Sequence, residues 1–336
     1  MKVIKFFAIT AMTAAMITSC SSEDELSQSN YPSDNIIRIT AGVNNAKTRA
    51  EGTAGTPLKN PLSLTVVNKN TETTLAKKYT YVNQVFTKDE NEVWKCSEAQ
   101  PLLWQNSETP VDIVAFAPAQ GDKFNGVYAN GSIQPITYSV ADDQSISSDN
   151  NDLLYNYTPG FVPGGTNLDK DGKLSIQMNH AFCMIDINVT LGTEFNKPAI
   201  LEKSPITEVT LEGTKIEANV NVTNAANIVT ASETATAAKI TTTNGSFDKA
   251  ANAEAKGVSH FSCITVPQTV AAKTFKVSLM TAGKHYEWTS AEPVELKSGY
   301  RYTLNLSMGN DVVLLKGGSI SASPWGNGTG GSLETD

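Results

Sequence analysis

The chain has 336 residues, of which 40% are hydrophobic, 7% aromatic and 18% charged, with a formal net charge of -8 and a pI near 5.1. The length predicts two domains of ordinary size, each able to bury a core, and the composition excludes a disordered chain. Scattered Lys and Arg residues within a net negative balance give no cationic patch to attract phosphates, which excludes nucleic acid as a partner.

Lys2 and Lys5 precede an apolar run from Phe6 to Ile17, the pattern of a secretory signal peptide over residues 1–19 and too short for a membrane span. Ile17-Thr18-Ser19-Cys20 has the form of a lipobox. It predicts cleavage before Cys20 and lipid modification of its thiol with palmitate-type acyl chains, placing the exported precursor at an outer membrane. One acyl chain holds a protein only marginally, whereas two or more hold it firmly. Ser21-Ser22-Glu23-Asp24-Glu25 then reads as a solvated acidic tether.

Further on, Ile37, Ile39, Ala41 and Val43 alternate with Arg38, Thr40 and Gly42 at the period of a half-buried strand. The stretch 44–57, with Thr48-Arg49-Ala50 inside it, reads as an exposed loop. Period-two patterns recur at Leu62, Leu64, Val66; Val111, Ile113; Leu174, Ile176, Met178; and Cys183, Ile185, Ile187, Val189, Leu191. The second half repeats them at Val209, Leu211; Val220, Val222; Ile264, Val266; Phe275, Val277, Leu279; and Tyr300, Tyr302, Leu304, Leu306.

No segment has the spacing of an amphipathic helix, so the expected class is all-β: tandem antiparallel β-sandwiches. Gly192 to Pro205 interrupts the strand pattern, which places the expected boundary at about residue 195. The predicted divisions are a signal peptide (1–19), a lipidated propeptide with the first strand (20–49), an amino-terminal sandwich (50–195), a carboxyl-terminal sandwich (196–308) and a tail (309–336). Between Asn224 and Lys256, few large apolar residues predict loops and edge strands. In the tail, Val312, Val313, Leu314 and Leu315, then Ile320 and Ala322, predict two short strands on a glycine hinge.

Catalysis finds no support. His180, His260 and His285 sit in no HExxH, GxSxG or Walker-type motif. His180 precedes a strand, which suits a structural hydrogen bond. Asn167, Asp169, Asp171 and Gly172 occupy the first, third, fifth and sixth positions of an EF-hand-like loop, but Met178 stands where the bidentate Glu belongs, so a β-turn at Asp171-Gly172 is the reading. No metal or cofactor is expected. After Cys20, Cys96, Cys183 and Cys263 form no CxxC pair and leave any disulfide unassigned; Cys183 shares a strand face with Ile185 and Ile187, the place of a buried small hydrophobe.

These features together resemble the fimbrillin family, the pilus subunits of Bacteroidales-type bacteria. The resemblance rests on the lipobox, on Ile37 to Val43 followed by Thr48-Arg49-Ala50, and on Val111-Asp-Ile-Val-Ala-Phe-Ala-Pro118. Gln144, Asp152-Leu-Leu-Tyr155, Met178-Asn-His-Ala-Phe182, Val266-Pro-Gln268, Leu296-Lys-Ser-Gly-Tyr300 and Trp325-Gly326 extend it along the chain. It implies two transthyretin-like sandwiches and a carboxyl-terminal donor-strand tail, and it makes the serine-acidic run after Cys20 an export signal to the cell exterior. It further implies cleavage between Arg49 and Ala50 by an arginine-specific surface protease. That cut would release the strand bearing Ile37, Ile39, Ala41 and Val43, and the groove would take the Val312 to Leu315 and Ile320 segment of a neighbour. The implied partners are identical or related pilin subunits, including anchor and tip pilins.

Two alternatives stay open at this point. One is an outer-membrane lipoprotein binding glycans through Trp94, Trp104, Trp288 and Trp325; the other is an anchor or tip subunit of the same family.

Overall fold

The computed structural model describes residues 29–44, 56–146, 151–197, 199–309, 313–315, 320–325 and 331–332. Cys20, Arg49, Ala50 and Val312 lie outside them. The regular structure of the described residues is almost all β, with one six-residue α-helix at Thr73–Lys78 and 3-10 turns at Gly121–Val127 and Thr193–Asn196. The all-β class expected from the period-two patterns is what the chain adopts.

In the first half, one sheet of eight strands runs in the order Thr56–Pro57, Ile39–Val43, Leu174–His180, Leu154–Phe161, Val111–Ala117, Leu62–Asn68, Tyr81–Lys88 and Trp94–Cys96. The sheet curls: Ile36, beside the strand near one edge, bridges to Leu103, which follows the strand at the other. Ile39, Phe86, Trp94 and Trp104 therefore enter one core although they come from opposite ends of the sheet. Val111–Ala117 is buried at every position. Ile113, Ala115 and Ala117 face the curled core, while Val114 and Phe116 enter a second cluster with Phe124, Tyr138, Leu153, Phe182 and Val220. Burial on both faces accounts for the unbroken apolar stretch Ile113–Ala117 within it.

The second half is a sandwich. A sheet ordered Thr243–Asp248, Val258–Thr265, Cys183–Leu191, Tyr300–Met308, Ser321–Pro324 and Gly331–Ser332, with Val313–Leu315 beside Tyr300–Met308, packs on a sheet ordered Ala237–Thr241, Ile206–Lys215, Lys276–Thr281 and His285–Thr289. Cys183–Leu191 alternates strictly, with Cys183, Ile185, Ile187, Val189 and Leu191 inward. The region expected to hold loops and edges supplies Val229–Ala231, Ala237–Thr241 and Thr243–Asp248, each at the margin of its sheet.

Three features depart from the sequence reading. Cys183–Leu191 hydrogen-bonds to Val258–Thr265 and Tyr300–Met308, so sheet membership changes at residues 181–182, ahead of the boundary expected near 195. Periodicity shows that a strand has two faces and is silent about its neighbours. Among the described strands two pairings are parallel, Ile39–Val43 on Leu174–His180 and Cys183–Leu191 on Tyr300–Met308, within sandwiches expected to be antiparallel. Finally, a segment of the first half is bonded to the second: Ile136–Ser139 pairs with Glu217–Val220, and Gln144 N–H donates to Thr241 O at 2.9 Å.

Candidate functional site

Residues 29–43 form a strap along the first half. Asn30 donates through its backbone N–H to Gly165 O and through Nδ2 to Leu168 O, and Ile37 N–H donates to Leu102 O. The strap then becomes Ile39–Val43, held at five register positions from Ile39 against Leu174 to Val43 against Met178. Ile37 and Ile39 are buried in the curled core, and Ala41 and Val43 pack against it. Next to the strand, Arg38 pairs with Asp34 at 2.6 Å and holds the Asp34 carboxyl down at about 2. Thus the four residues expected to form the releasable strand do line one interface.

The tail lies on the other half. Val313–Leu315 pairs with Met308, Ser307 and Leu306, and Ser321–Pro324 continues along Thr303 to Tyr300, so both pieces cover the free side of Tyr300–Met308. Val313 is buried and Ile320 packs against the same core. In this single chain the described pieces of the tail are docked on its own body.

The strap and the tail approach the same crossover. The strand Leu174–His180, which carries the strap, passes through the buried pair Ala181 and Phe182 directly into Cys183–Leu191. Ser298 Oγ donates to the carbonyls of His180 and Ala181 at 3.1 and 2.8 Å, and Gly299 N–H donates to Phe182 O at 2.9 Å. Gly299 has φ +72, a conformation that favours glycine in this Lys-Ser-Gly turn. Trp325 N–H donates to Gly299 O at 2.7 Å, and its indole lies flat on the imidazole of His180, with ring centroids 3.9 Å apart. His180 Nδ1 is in turn 2.9 Å from Asp152 Oδ2. The hydrogen bond expected of His180 is present, and the stack on a residue 145 positions away is not legible in the sequence.

Gln144 is a second convergence point. Its Oε1 accepts from Ile264 N–H, and its Nε2 donates to Ile264 O and Ala141 O at 2.8 to 3.0 Å. Gln268 does the same for Lys215, accepting from its N–H and donating to its carbonyl. Both glutamines pin backbone of one segment to a strand elsewhere, so sequence signals that look like isolated motifs are tertiary hydrogen-bond sites.

The other candidates resolve as packing and turns. Trp104 is 2% exposed and Trp94 9%, both in the curled core, so they present no shared aromatic surface with Trp288 and Trp325. Asp169 Oδ1 accepts from the N–H groups of Asp171 and Lys173, and Gly172 takes φ +72, which is the turn expected there. Cys96, Cys183 and Cys263 are free thiols. Burial pushes the Cys183 thiol well up and that of Cys263 to about 12, which leaves both protonated and unreactive at neutral pH.

The geometry defines a class: an all-β chain in which an amino-proximal strap covers the flank of Leu174–His180 and a carboxyl-terminal tail covers that of Tyr300–Met308, the neighbour of the strand into which Leu174–His180 continues. The chain belongs to the fimbrillin-like family, whose sequence model matches residues 48–325. No curated protein matches it. Among solved structures it is similar to a candidate cell adhesion protein from Bacteroides ovatus (TM-score 0.61, 16% identity, covering 86% of this chain and 97% of the other). It is also similar to a candidate cell adhesion protein from Bacteroides uniformis (TM-score 0.55, 14% identity, 88% and 99% covered). A third likeness is to a fimbrial protein from Bacteroides vulgatus (TM-score 0.50, 14% identity, 86% and 99% covered). At these identities the likeness is one of fold.

Proposed function

We propose that this chain is a structural subunit of a cell-surface fimbria that supports adhesion, exported as a precursor lipidated on Cys20, activated by cleavage after Arg49 and polymerised by donor-strand exchange. The observation that carries the proposal is the strap. Arg49 lies between Val43 and the rest of the chain, so a cut there leaves residues 29–43 attached only by non-covalent contacts. Its removal bares the flank of Leu174–His180 and the core around Ile37 and Ile39, an apolar groove bordered by unpaired backbone groups.

The tail of a neighbouring subunit, Val312 to Leu315 with Ile320, is the proposed occupant. Burying four or five aliphatic side chains at roughly 1.5 to 3 kcal/mol each is worth about 6 to 15 kcal/mol before association costs, and each main-chain hydrogen bond adds about 1 kcal/mol. Head-to-tail joining of this kind does not close on itself and so yields a filament. On this reading the partners are identical or related subunits, with an arginine-specific protease acting at the cell surface. The lipid delivers the precursor to the outer membrane and departs with residues 20–49. Sheet membership supports drawing the division between two transthyretin-like sandwich domains at residues 181–182, with strand 183–191 in the second.

Amino-terminal sequencing and intact mass of the surface-assembled protein test this. A start at Ala50 is expected, and an acylated Cys20 in the assembled product would overturn the shaft-subunit reading. Arg49→Ala is expected to leave a lipidated monomer; heat-sensitive ladders persisting in that variant would refute the activation step.

A further inference from the structure

We infer that the parallel pair Cys183–Leu191 and Tyr300–Met308 is a mechanical clamp that carries tension through the subunit in shear. The inference rests on the filament reading for its biological use. The geometry belongs to the single chain.

In a filament joined as proposed, a pull enters through the strand that borders the groove, Leu174–His180, and leaves through the chain that follows Met308. Leu174–His180 continues through Ala181 and Phe182 into the start of Cys183–Leu191. The pull therefore acts on one strand at its amino end, Cys183, and on its neighbour at its carboxyl end, Met308. The two strands are parallel and in register at eight positions, from Met184 against Arg301 to Leu191 against Met308. In a parallel pair, the start of one strand and the end of the other lie at opposite ends of the ladder. Tension then slides the strands along each other and strains all eight positions together. Had the pair been antiparallel, Cys183 and Met308 would lie at the same end, and the same pull would open the ladder one rung at a time.

Both faces resist sliding. Inward, Tyr302, Leu304, Leu306 and Met308 are buried beside Ile185, Ile187 and Val189. Outward, Arg301 is paired in bidentate fashion with Asp186, and Asn188 Nδ2 donates to Asn305 Oδ1 at 2.9 Å. The entry point is braced by the Ser298 and Gly299 bonds to residues 180–182. When the tail leaves to join a neighbour, Tyr300–Met308 keeps Cys183–Leu191 as its sheet partner, so the clamp survives the step that builds the filament.

Single-molecule pulling on the full-length monomer tests the inference. In a Cys96→Ala background, one handle is attached at Ser175→Cys, which is exposed, and the other at the carboxyl terminus; the docked tail peels away first, after which the pull reaches Met308 in the shear geometry. A second version pairs Ser175→Cys with Lys297→Cys, on the turn before Tyr300, and pulls both strands from the same end. Once the tail has peeled, the shear geometry is expected to rupture at a severalfold higher force, and Arg301→Ala to lower that force. Equal rupture forces in the two geometries would overturn the clamp. Because the measurement uses monomer, a weak shear response in a chain that still polymerises overturns the clamp alone, and a strong one in a chain that never polymerises overturns the filament reading alone.

Discussion

Trp325 and His180 stack face to face at an 8° interplanar angle, which ties the carboxyl-terminal tail to the last residue of a strand in the other half of the molecule. The docked tail therefore depends on the crossover as well as on its own pairing with Tyr300–Met308. An aromatic pair of this kind contributes about 0.5 to 1.5 kcal/mol beyond the area it buries. Trp325→Ala is expected to speed hydrogen exchange at the amides of Ser321 to Ser323 by about 3- to 10-fold, leaving those of Val111–Ala117 unchanged.

Gln144 satisfies one donor and two acceptors of the backbone at once. Gln144→Leu keeps the volume but strands those groups, at a cost of about 1 to 3 kcal/mol. Gln144→Glu keeps the bond from Ile264 N–H but sets a carboxylate oxygen against two carbonyls, so it is expected not to rescue. Urea midpoints of the two variants, both lowered, are the measurement; a midpoint restored by Glu would show that Nε2 is not the donor.

Gly213 sits at a bulge in Ile206–Lys215, with φ +89 and the carbonyl of Thr274 where a Cβ would stand. Gly213→Ala is expected to cost about 2 to 3 kcal/mol or more, from strain and displacement of the Lys276–Thr281 hairpin. Gly121, at φ +52 with open space around it, is the control, and its alanine variant is expected to cost only about 1 kcal/mol in thermal or urea unfolding.

Alkaline stability reads the buried thiols. Burial raises Cys263 from 9.0 to about 12, so the fold favours the protonated thiol. That contribution is complete below pH 9 and is lost as pH rises from 9 through about 12. Each such proton gives a slope of about 1.4 kcal/mol per pH unit. Cys183 adds in the same direction, and Tyr302, raised from 10.0 to about 12, joins above pH 10. Cys263→Ala is expected to reduce the slope of unfolding free energy between pH 9 and 10 by up to one proton, whatever its effect on stability at pH 7. An unchanged slope would place the titrating thiol elsewhere.

Much of this protein is legible in its chain. The alternation in Cys183–Leu191 and Tyr300–Met308 states which side chains face inward, because successive residues of a strand point to opposite faces whatever the strand's neighbours are. The apolar run Ile113–Ala117 matches burial on both faces, and Gly172 and Gly299 mark turns through their backbone freedom. The strand Tyr81–Lys88 escapes such reading because only Phe86 within it is buried, leaving no alternation to detect.

What only the tertiary structure decided is who stands beside whom. Period two carries no information on whether a neighbour is parallel or antiparallel, or on which of many similar strands it is. The passage of one strand from the first sheet into the second at Ala181 and Phe182, the landing of Gln144 on Ile264, and the meeting of Trp325 with His180 are all contacts between distant parts of the chain. They are selected by the mutual fit of whole faces and by the need of every buried backbone group for a partner, and neither condition exists until the chain has folded.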